Sequence, residues 1–146
     1  MPFVSLTRLK VRSVWYLPGF LAANEASVKY LTRTPGFLKG TELVDKGLVF
    51  WTVTAWTDEK AMKTFRNSEA HRKAMQMLPR WCSEAAYAHW LQDNDVLPAP
   101  AVLHEKIITQ GKLTKVRYPS VRQQLMAYPP VRWVKLSRPL VKNSPI

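Results

Sequence analysis

The chain has 146 residues, of which 47% are hydrophobic, and 22 Lys and Arg against 10 Asp and Glu give a formal net charge of +12. This length suits one domain with a sizeable core, and the hydrophobic fraction excludes a wholly disordered chain. The single cysteine, Cys82, excludes an internal disulfide framework. No apolar run approaches the roughly 20 residues that span a bilayer, and three early cations interrupt any signal-peptide core. We therefore expect a soluble, cytoplasmic protein.

The charge is distributed unevenly along the chain. Residues 1–97 contain 13 Lys and Arg and 9 Asp and Glu, whereas residues 98–146 contain 9 and 1, together with 7 of the 11 prolines. This predicts a nearly balanced folded domain at 1–97, followed by a helix and an extended, proline-rich, basic C-terminal extension at 98–146. Such an extension either covers its own domain or attracts an acidic protein or an anionic lipid surface. We do not expect nucleic acid, because no recognised binding module is present.

The first predicted element is a strand over residues 3–15. Arg8, Lys10 and Arg12 alternate on one of its faces, where like charges repel each other unless an anion lies nearby. Two explanations stay open: the cations bind an anionic ligand, or they pair with acidic residues of neighbouring strands, the candidates being Glu42, Asp45 and Glu84.

Next come a predicted helix at 20–33, a strand at 37–44, a tight turn at 45–47 and a strand at 48–56. The last of these is the strongest strand signal in the sequence, because nearly all of its residues are β-branched or aromatic. Neither of its faces is polar enough for water, so we expect both to be covered and Trp51 to be deeply buried.

The second half begins with a helical region at 58–78, where Asp58 and Ser68 are the candidate N-caps. A strand at 84–92 and a helix at 99–110 follow. Beyond residue 112, prolines alternate with large apolar residues, which predicts a strap ordered by contact and not by secondary structure of its own. Its main apolar residues are Tyr118, Tyr128, Val131, Trp133, Val134, Leu136 and Leu140.

The order β-α-β-β-α-β predicts an α+β, ferredoxin-like domain, with helices on one face of an antiparallel sheet. The other face is too apolar for water. A partner sheet would cover it, so we expect a homodimer with a barrel-like interior.

One stretch resembles a known superfamily. A strand ending in Trp56-Thr57-Asp58-Glu59 runs into a helix with the aromatic residue Phe65, and then into Asn67-Ser68 and His71. This pattern is similar to that of the dimeric α+β barrels, which include antibiotic-biosynthesis monooxygenases and heme-degrading monooxygenases, and the likeness covers residues 3–92. The segments SLTRLKVRSVW and EAAYAHW resemble a branch near the spheroidene monooxygenase-like proteins.

The resemblance implies a site. Heme-degrading members carry an aromatic residue and a His ligand on this helix; Phe65 matches the first, but Met75 falls where the His is expected and His71 lies one turn earlier. Heme is therefore a candidate cofactor whose usual ligand pattern is not matched, and the cofactor stays unknown. Members that need no cofactor use polar side chains and an apolar cavity to position an activated substrate for oxygen.

For such a reaction we expect His71 or His89 to accept a proton near neutral pH, and Arg8 and Arg12 to bind an anionic group. The residues expected to contact a hydrophobic substrate are Trp56, Phe65 and Met75. No metal site is expected, because no two histidines have ligand spacing on one element and neither CxxC nor HExxH occurs.

Three functions remain open at this stage. The first is a monooxygenase-like enzyme acting on a hydrophobic small molecule. The second is a non-catalytic dimer that binds a ligand in the same cavity. The third is an interaction protein that docks to an acidic protein or membrane surface through its basic extension.

Overall fold

A computed structural model describes residues 1–132 and 136–143. Of the apolar strap residues, Trp133 and Val134 lie outside these ranges. The strands are β1 (Phe3–Val11), β2 (Phe37–Asp45), β3 (Val49–Trp56), β4 (Cys82–Leu91), β5 (Lys112–Leu113) and β6 (Leu136–Val141). The helices are α1 (Leu17–Leu31), α2 (Glu59–Arg66), α3 (Glu69–Trp81), α4 (Pro100–Gln110) and α5 (Val121–Leu125).

The six strands form one sheet in the order β5-β4-β1-β3-β2-β6, and every neighbouring pair is antiparallel. The inner order β4-β1-β3-β2, with α1 and the α2–α3 pair as the connecting helices, confirms the predicted α+β ferredoxin-like fold. Both predicted caps are formed: the Asp58 carboxylate accepts from the Ala61 amide at 2.8 Å, and the Ser68 hydroxyl accepts from the His71 amide at 3.3 Å.

β1 is shorter than predicted. It ends at Val11, and a 3₁₀ turn over Val14–Tyr16 follows, with the Ser13 side chain as its N-cap. The hydroxyl of Ser13 accepts from the Trp15 amide, which competes with continued strand pairing. Trp15, predicted to lie on the strand, is 87% exposed.

β3 is covered on both faces, as predicted. Phe50 and Trp56 pack towards α1–α3, while Val49, Trp51 and Val53 belong to a core cluster on the opposite face. Trp51 has no exposed surface.

The cover of that opposite face differs from the one expected. Leu103 and Ile107 of α4 and Tyr128 of the extension pack on it within a single chain. The expected need for a partner sheet on this face was therefore wrong: the chain supplies its own cover. Homodimer formation itself stays a prediction, without this face as its interface.

The strap also departs from its prediction. β6 pairs with β2 over six residues, from Lys39 opposite Val141 to Val44 opposite Leu136, so part of the strap has regular secondary structure. Pro139 is tolerated because β6 is an edge strand. Leu140 of β6 and the backbone of β3 lie close to Gly40 of β2, because glycine has no side chain there. An added Cβ would lie 2.8 Å from the Val53 carbonyl oxygen and 3.3 Å from Leu140 Cδ1.

Candidate functional site

A cavity of about 420 Å³ lies between the sheet and helices α1, α2 and α3. It is the space between the helix-facing side of β1, β3 and β4 and the inner sides of the three helices. Because the sheet supplies small side chains near its centre, the helices do not fill the space completely.

The floor of the cavity is polar. Two rows of paired residues cross the three strands: Thr54 lies opposite Ser5, which lies opposite His89, and Thr52 lies opposite Thr7, which lies opposite Tyr87. All six line the cavity. Short hydroxyl side chains leave room for a ligand and offer hydrogen bonds to it.

The roof of the cavity is apolar. Most of it consists of aliphatic, aromatic and thioether side chains, among them Phe20, Val28, Leu31, Met62, Phe65, Met75 and Leu78, and its polar members are Asn24, Ser27, Arg66 and His71. At one end, the rings of Trp56 and Phe65 stack with centroids 5.8 Å apart and planes inclined by 26°. A mostly apolar enclosure with a few convergent polar groups is typical of small-molecule sites.

His71 reaches the cavity from the first turn of α3. Its ring lies edge-on to Phe65, with centroids 4.9 Å apart, and its Nδ1 is 3.0 Å from the carbonyl oxygen of Arg66. A carbonyl only accepts, so Nδ1 carries the proton, and in the neutral ring Nε2 is left as an acceptor. Burial lowers the pKa of His71, which keeps the ring neutral at pH 7.

His89 projects from β4 into the same cavity. Its ring packs against Phe3 and Tyr87, each with a centroid separation of 5.2 Å. Burial, aided by the charge of Arg66, lowers the pKa of His89 as well. The cavity therefore contains two imidazoles that are neutral at physiological pH.

Arg66, at the end of α2, is a lining residue that the sequence analysis missed. After burial, its charge is a further cause of the lowered pKa of both histidines. Its position in the sequence could have identified it. Arg66 stands between Phe65 and the Asn67-Ser68 cap, where the chain reverses towards the site. Among the described lining residues none is acidic, so Arg66 faces a cavity without a counter-charge.

Five of the seven predicted site residues line this one cavity: His71, His89, Trp56, Phe65 and Met75. Arg8 and Arg12 do not, and the expectation that they share a site with the histidines was wrong. Arg8 lies on the opposite sheet face, where its Nη1 is 2.6 Å from Glu84 Oε1, one of the partners considered above. Arg12 donates to the Arg80 carbonyl at 2.8 Å and to the Tyr16 hydroxyl at 2.8 Å.

Metal-binding and thiol chemistry find little support. Within residues 1–132 and 136–143, no cluster of three or more His, Cys, Asp and Glu side chains could hold a metal ion. Burial raises the pKa of Cys82 to about 12, so its thiol stays protonated. Met75, which the resemblance placed at the expected heme-ligand position, lines the same cavity as the histidines.

Comparison with known proteins agrees with this geometry. Residues 16–77 match the sequence model of the family described as antibiotic biosynthesis monooxygenase. No curated protein matches the chain. The matched segment contains α1, β2, β3, α2 and most of α3, which together supply much of the cavity wall.

Solved structures resemble the chain over about two thirds of its length. SnoaB, a cofactor-independent oxygenase from Streptomyces nogalater, is 18% identical, with a TM-score of 0.53, covering 67% of this chain and 98% of its own. Rv0793 from Mycobacterium tuberculosis is 11% identical, with a TM-score of 0.59 and coverages of 66% and 100%. A conserved protein from Methanosarcina mazei is 9% identical, with a TM-score of 0.57 and coverages of 64% and 94%. One third of this chain thus has no counterpart in these neighbours.

The expected resemblance to the antibiotic-biosynthesis monooxygenases, and with it the fold, is confirmed. Of the part of the chain that the structure describes, no helix has both the length and the hydropathy needed to cross a bilayer.

Proposed function

We propose that the chain is an oxygenase that binds a hydrophobic, ionisable small molecule in the cavity between the sheet and α1–α3. The observation that supports this most directly is the arrangement of His71: a neutral imidazole whose Nδ1 is fixed by the Arg66 carbonyl and whose Nε2 is free to accept a proton in an apolar enclosure. The match to the antibiotic biosynthesis monooxygenases and the likeness to a cofactor-independent oxygenase favour the same chemistry.

The substrate is an aromatic compound with a methylene group made acidic by flanking rings or a carbonyl. Phe65, which stacks on Trp56, packs against its planar body, and the hydroxyl floor bonds to its oxygen substituents. His71 Nε2 removes a proton from the methylene, and the resulting carbanion is delocalised onto the carbonyl oxygen, close to Arg66. Molecular oxygen then oxidises it: CH₂ and O₂ become C=O and H₂O, so one oxygen atom enters the product and the other leaves as water.

His89 is a second candidate for the proton acceptor. It lies on the floor and has the same lowered pKa, but the structure gives it ring contacts and no fixed Nδ1 partner among the described residues. His71 is favoured because its tautomer is set by a hydrogen bond.

Oxygen uptake with an anthrone as the probe tests the proposal. An anthrone carries a methylene between two aromatic rings, and its oxidation to the quinone is visible by absorbance. We expect the protein to accelerate uptake, and His71→Gln to reduce kcat by about 10²–10⁴-fold, the usual contribution of a general base. His89→Gln should have the smaller effect.

Arg66→Gln should slow the reaction by reducing stabilisation of the anion, whereas Arg72→Gln should not. Arg72 is exposed, lies on α3 and does not line the cavity, which makes it the matched control. Tight binding of the anthrone without oxygen uptake would instead favour the second function considered above, a non-catalytic ligand-binding protein.

A further inference from the structure

One end of the molecule combines exposed aromatic residues with a cluster of cations. The 3₁₀ turn that follows β1, the C-terminal end of α3 and the segment after β5 meet there. The Arg12 amide donates to the Trp81 carbonyl at 2.9 Å, and the Arg117 amide donates to the Pro79 carbonyl at 2.8 Å. The Arg12 guanidinium lies over the rings of Tyr16 and Tyr118, at 4.5 and 4.7 Å from their centroids. We call this surface the basic–aromatic end.

The apolar residues of the basic–aromatic end project into solvent. Val14 is 67% exposed, Trp15 87% and Tyr118 56%. A tryptophan is normally among the more buried residues, so a nearly free one beside an exposed valine costs solvation free energy in the isolated chain. Further along the same strap, Val121 and Leu125 of α5 are also exposed.

The basic–aromatic end is rich in positive charge, and the acidic residue beside it, Glu84, is 2% exposed and paired with Arg8. Residues 10–20, 72–83 and 106–125 contain no Asp or Glu. These segments contain ten Lys and Arg residues: Lys10, Arg12, Arg72, Lys73, Arg80, Lys106, Lys112, Lys115, Arg117 and Arg122. Arg80, Lys115 and Arg117 are exposed. The partner of such a surface must be anionic and must also accept an aromatic and an aliphatic side chain.

We propose that the basic–aromatic end docks onto the surface of an anionic lipid bilayer. Tryptophan and tyrosine favour the headgroup region, where the ring is apolar and the N–H or O–H stays wet. Lys and Arg near an anionic leaflet each contribute binding free energy, and the aliphatic Val14 inserts beside the Trp15 ring. Nucleic acid explains the charge and the aromatic rings, but gives Val14 no partner, and so fits less well.

This docking places the cavity close to the bilayer. Leu9, Phe20 and Trp81 line the cavity, and the Trp81 carbonyl is the one that holds the Arg12 amide. A hydrophobic ligand dissolved in the membrane would thus meet the protein at this end. Membrane binding itself does not rest on the proposed oxygenation and is tested without it.

Sedimentation with large unilamellar vesicles tests the docking. The full-length protein is mixed with vesicles of phosphatidylcholine alone, or with vesicles in which phosphatidylglycerol replaces part of the phosphatidylcholine. We expect binding to the anionic vesicles, weakened by added salt, and little binding to the neutral ones. Equal binding to both, or binding to neither, would overturn the proposal.

Two variants and their controls locate the contact. Trp15→Ala should weaken vesicle binding by about tenfold. The double variant Arg80→Gln/Arg117→Gln should weaken it by roughly 25-fold, since each juxtamembrane cation contributes about fivefold. The matched controls are Tyr30→Ala and Arg33→Gln/Lys60→Gln, which remove exposed side chains on other surfaces. Binding of the controls should be unchanged.

All of these positions are exposed, and far-UV circular dichroism with thermal unfolding confirms that each variant is folded. If the controls lose as much binding as the variants, the contact lies elsewhere and the proposal fails. If a duplex oligonucleotide competes with the vesicles at physiological salt, and Trp15→Ala leaves vesicle binding intact, the surface is a nucleic-acid site and not a membrane site.

Discussion

His71 shows how the environment of one side chain sets its chemistry. An exposed histidine titrates near pH 6.5 and would be partly charged in the cell. Burial lowers the pKa of His71, and the Arg66 carbonyl fixes its tautomer, so at neutral pH Nε2 is the ring nitrogen that can accept a proton. The sequence identified the residue, but the hydrogen bond that orients it depends on the chain reversal between α2 and α3.

The pH dependence of activity follows from this lowered pKa. Because the neutral ring is the reactive form, kcat should be constant near pH 7 and fall as the pH drops below the ordinary histidine range. The fall of kcat at low pH should be altered in His71→Gln, because the group that causes it is gone. The same fall should be retained in His89→Gln. A rate profile with its acid limb above pH 7 would contradict the assignment.

Stability should depend on the same two residues. Both histidines have pKa values that are lower in the folded protein than in the unfolded chain, where they bind protons near pH 6.5. The unfolded state therefore binds more protons in mildly acidic solution, and the free energy of unfolding falls as the pH drops through and below 6.5. Urea denaturation of His71→Gln/His89→Gln should show a weaker fall over this range than the parent protein.

β3 contributes residues to all three hydrophobic clusters of the core. Its alternating residues were assigned correctly to the two sheet faces because strand periodicity fixes side-chain direction. Trp51→Ala should lower the free energy of unfolding by about 3–5 kcal/mol, since it leaves a large cavity in a fully buried position. Urea denaturation measures this, and a loss below about 1 kcal/mol would mean that the face of β3 is misassigned.

The ion pair of Arg8 and Glu84 attaches the extension to the sheet. Both side chains are 2% exposed, Glu84 also accepts from the Ser120 hydroxyl at 2.9 Å, and the Arg8 guanidinium lies 4.3 Å from the Tyr128 ring centroid. Glu84→Gln should cost about 3–5 kcal/mol because it leaves a buried cation without its partner. Replacing both residues, as in Arg8→Met/Glu84→Met, should cost less. If Arg8→Met/Glu84→Met is less stable than Glu84→Gln, the attraction within the ion pair stabilises the fold by more than the desolvation of its two charges costs.

The order of elements and most of their bounds followed from periodicity, caps and turn residues, whereas long-range pairing did not. A strand such as β6, with a proline and mostly exposed side chains, has no alternating pattern to identify it; its position depends on the free edge of β2. The same holds for Arg8, since sequence alone named Glu84 as one partner among three. In each case the missing information was which distant segments meet.

At the scale of the whole molecule, the extension substitutes for a second subunit on one sheet face. Deletion of residues 112–146 removes Tyr128 and β6 and leaves apolar surface on β3 and an open edge on β2. The truncated protein should unfold at a lower temperature and self-associate, because an uncovered apolar face and a free edge both promote pairing. Sedimentation velocity and calorimetry check this; a truncated chain that matches the parent in both would mean that the extension is a free tail.

The claim on which the proposed function depends is that a planar hydrophobic ligand occupies the cavity beside His71. A crystal structure of the protein with an anthrone, grown without oxygen to prevent turnover, tests it directly. The expected result is a ligand between the hydroxyl floor of the sheet and the Trp56–Phe65 stack, with its methylene carbon within about 3.5 Å of His71 Nε2. A ligand bound on the surface, or a cavity closed by the side chains of α2 and α3, would contradict the proposal.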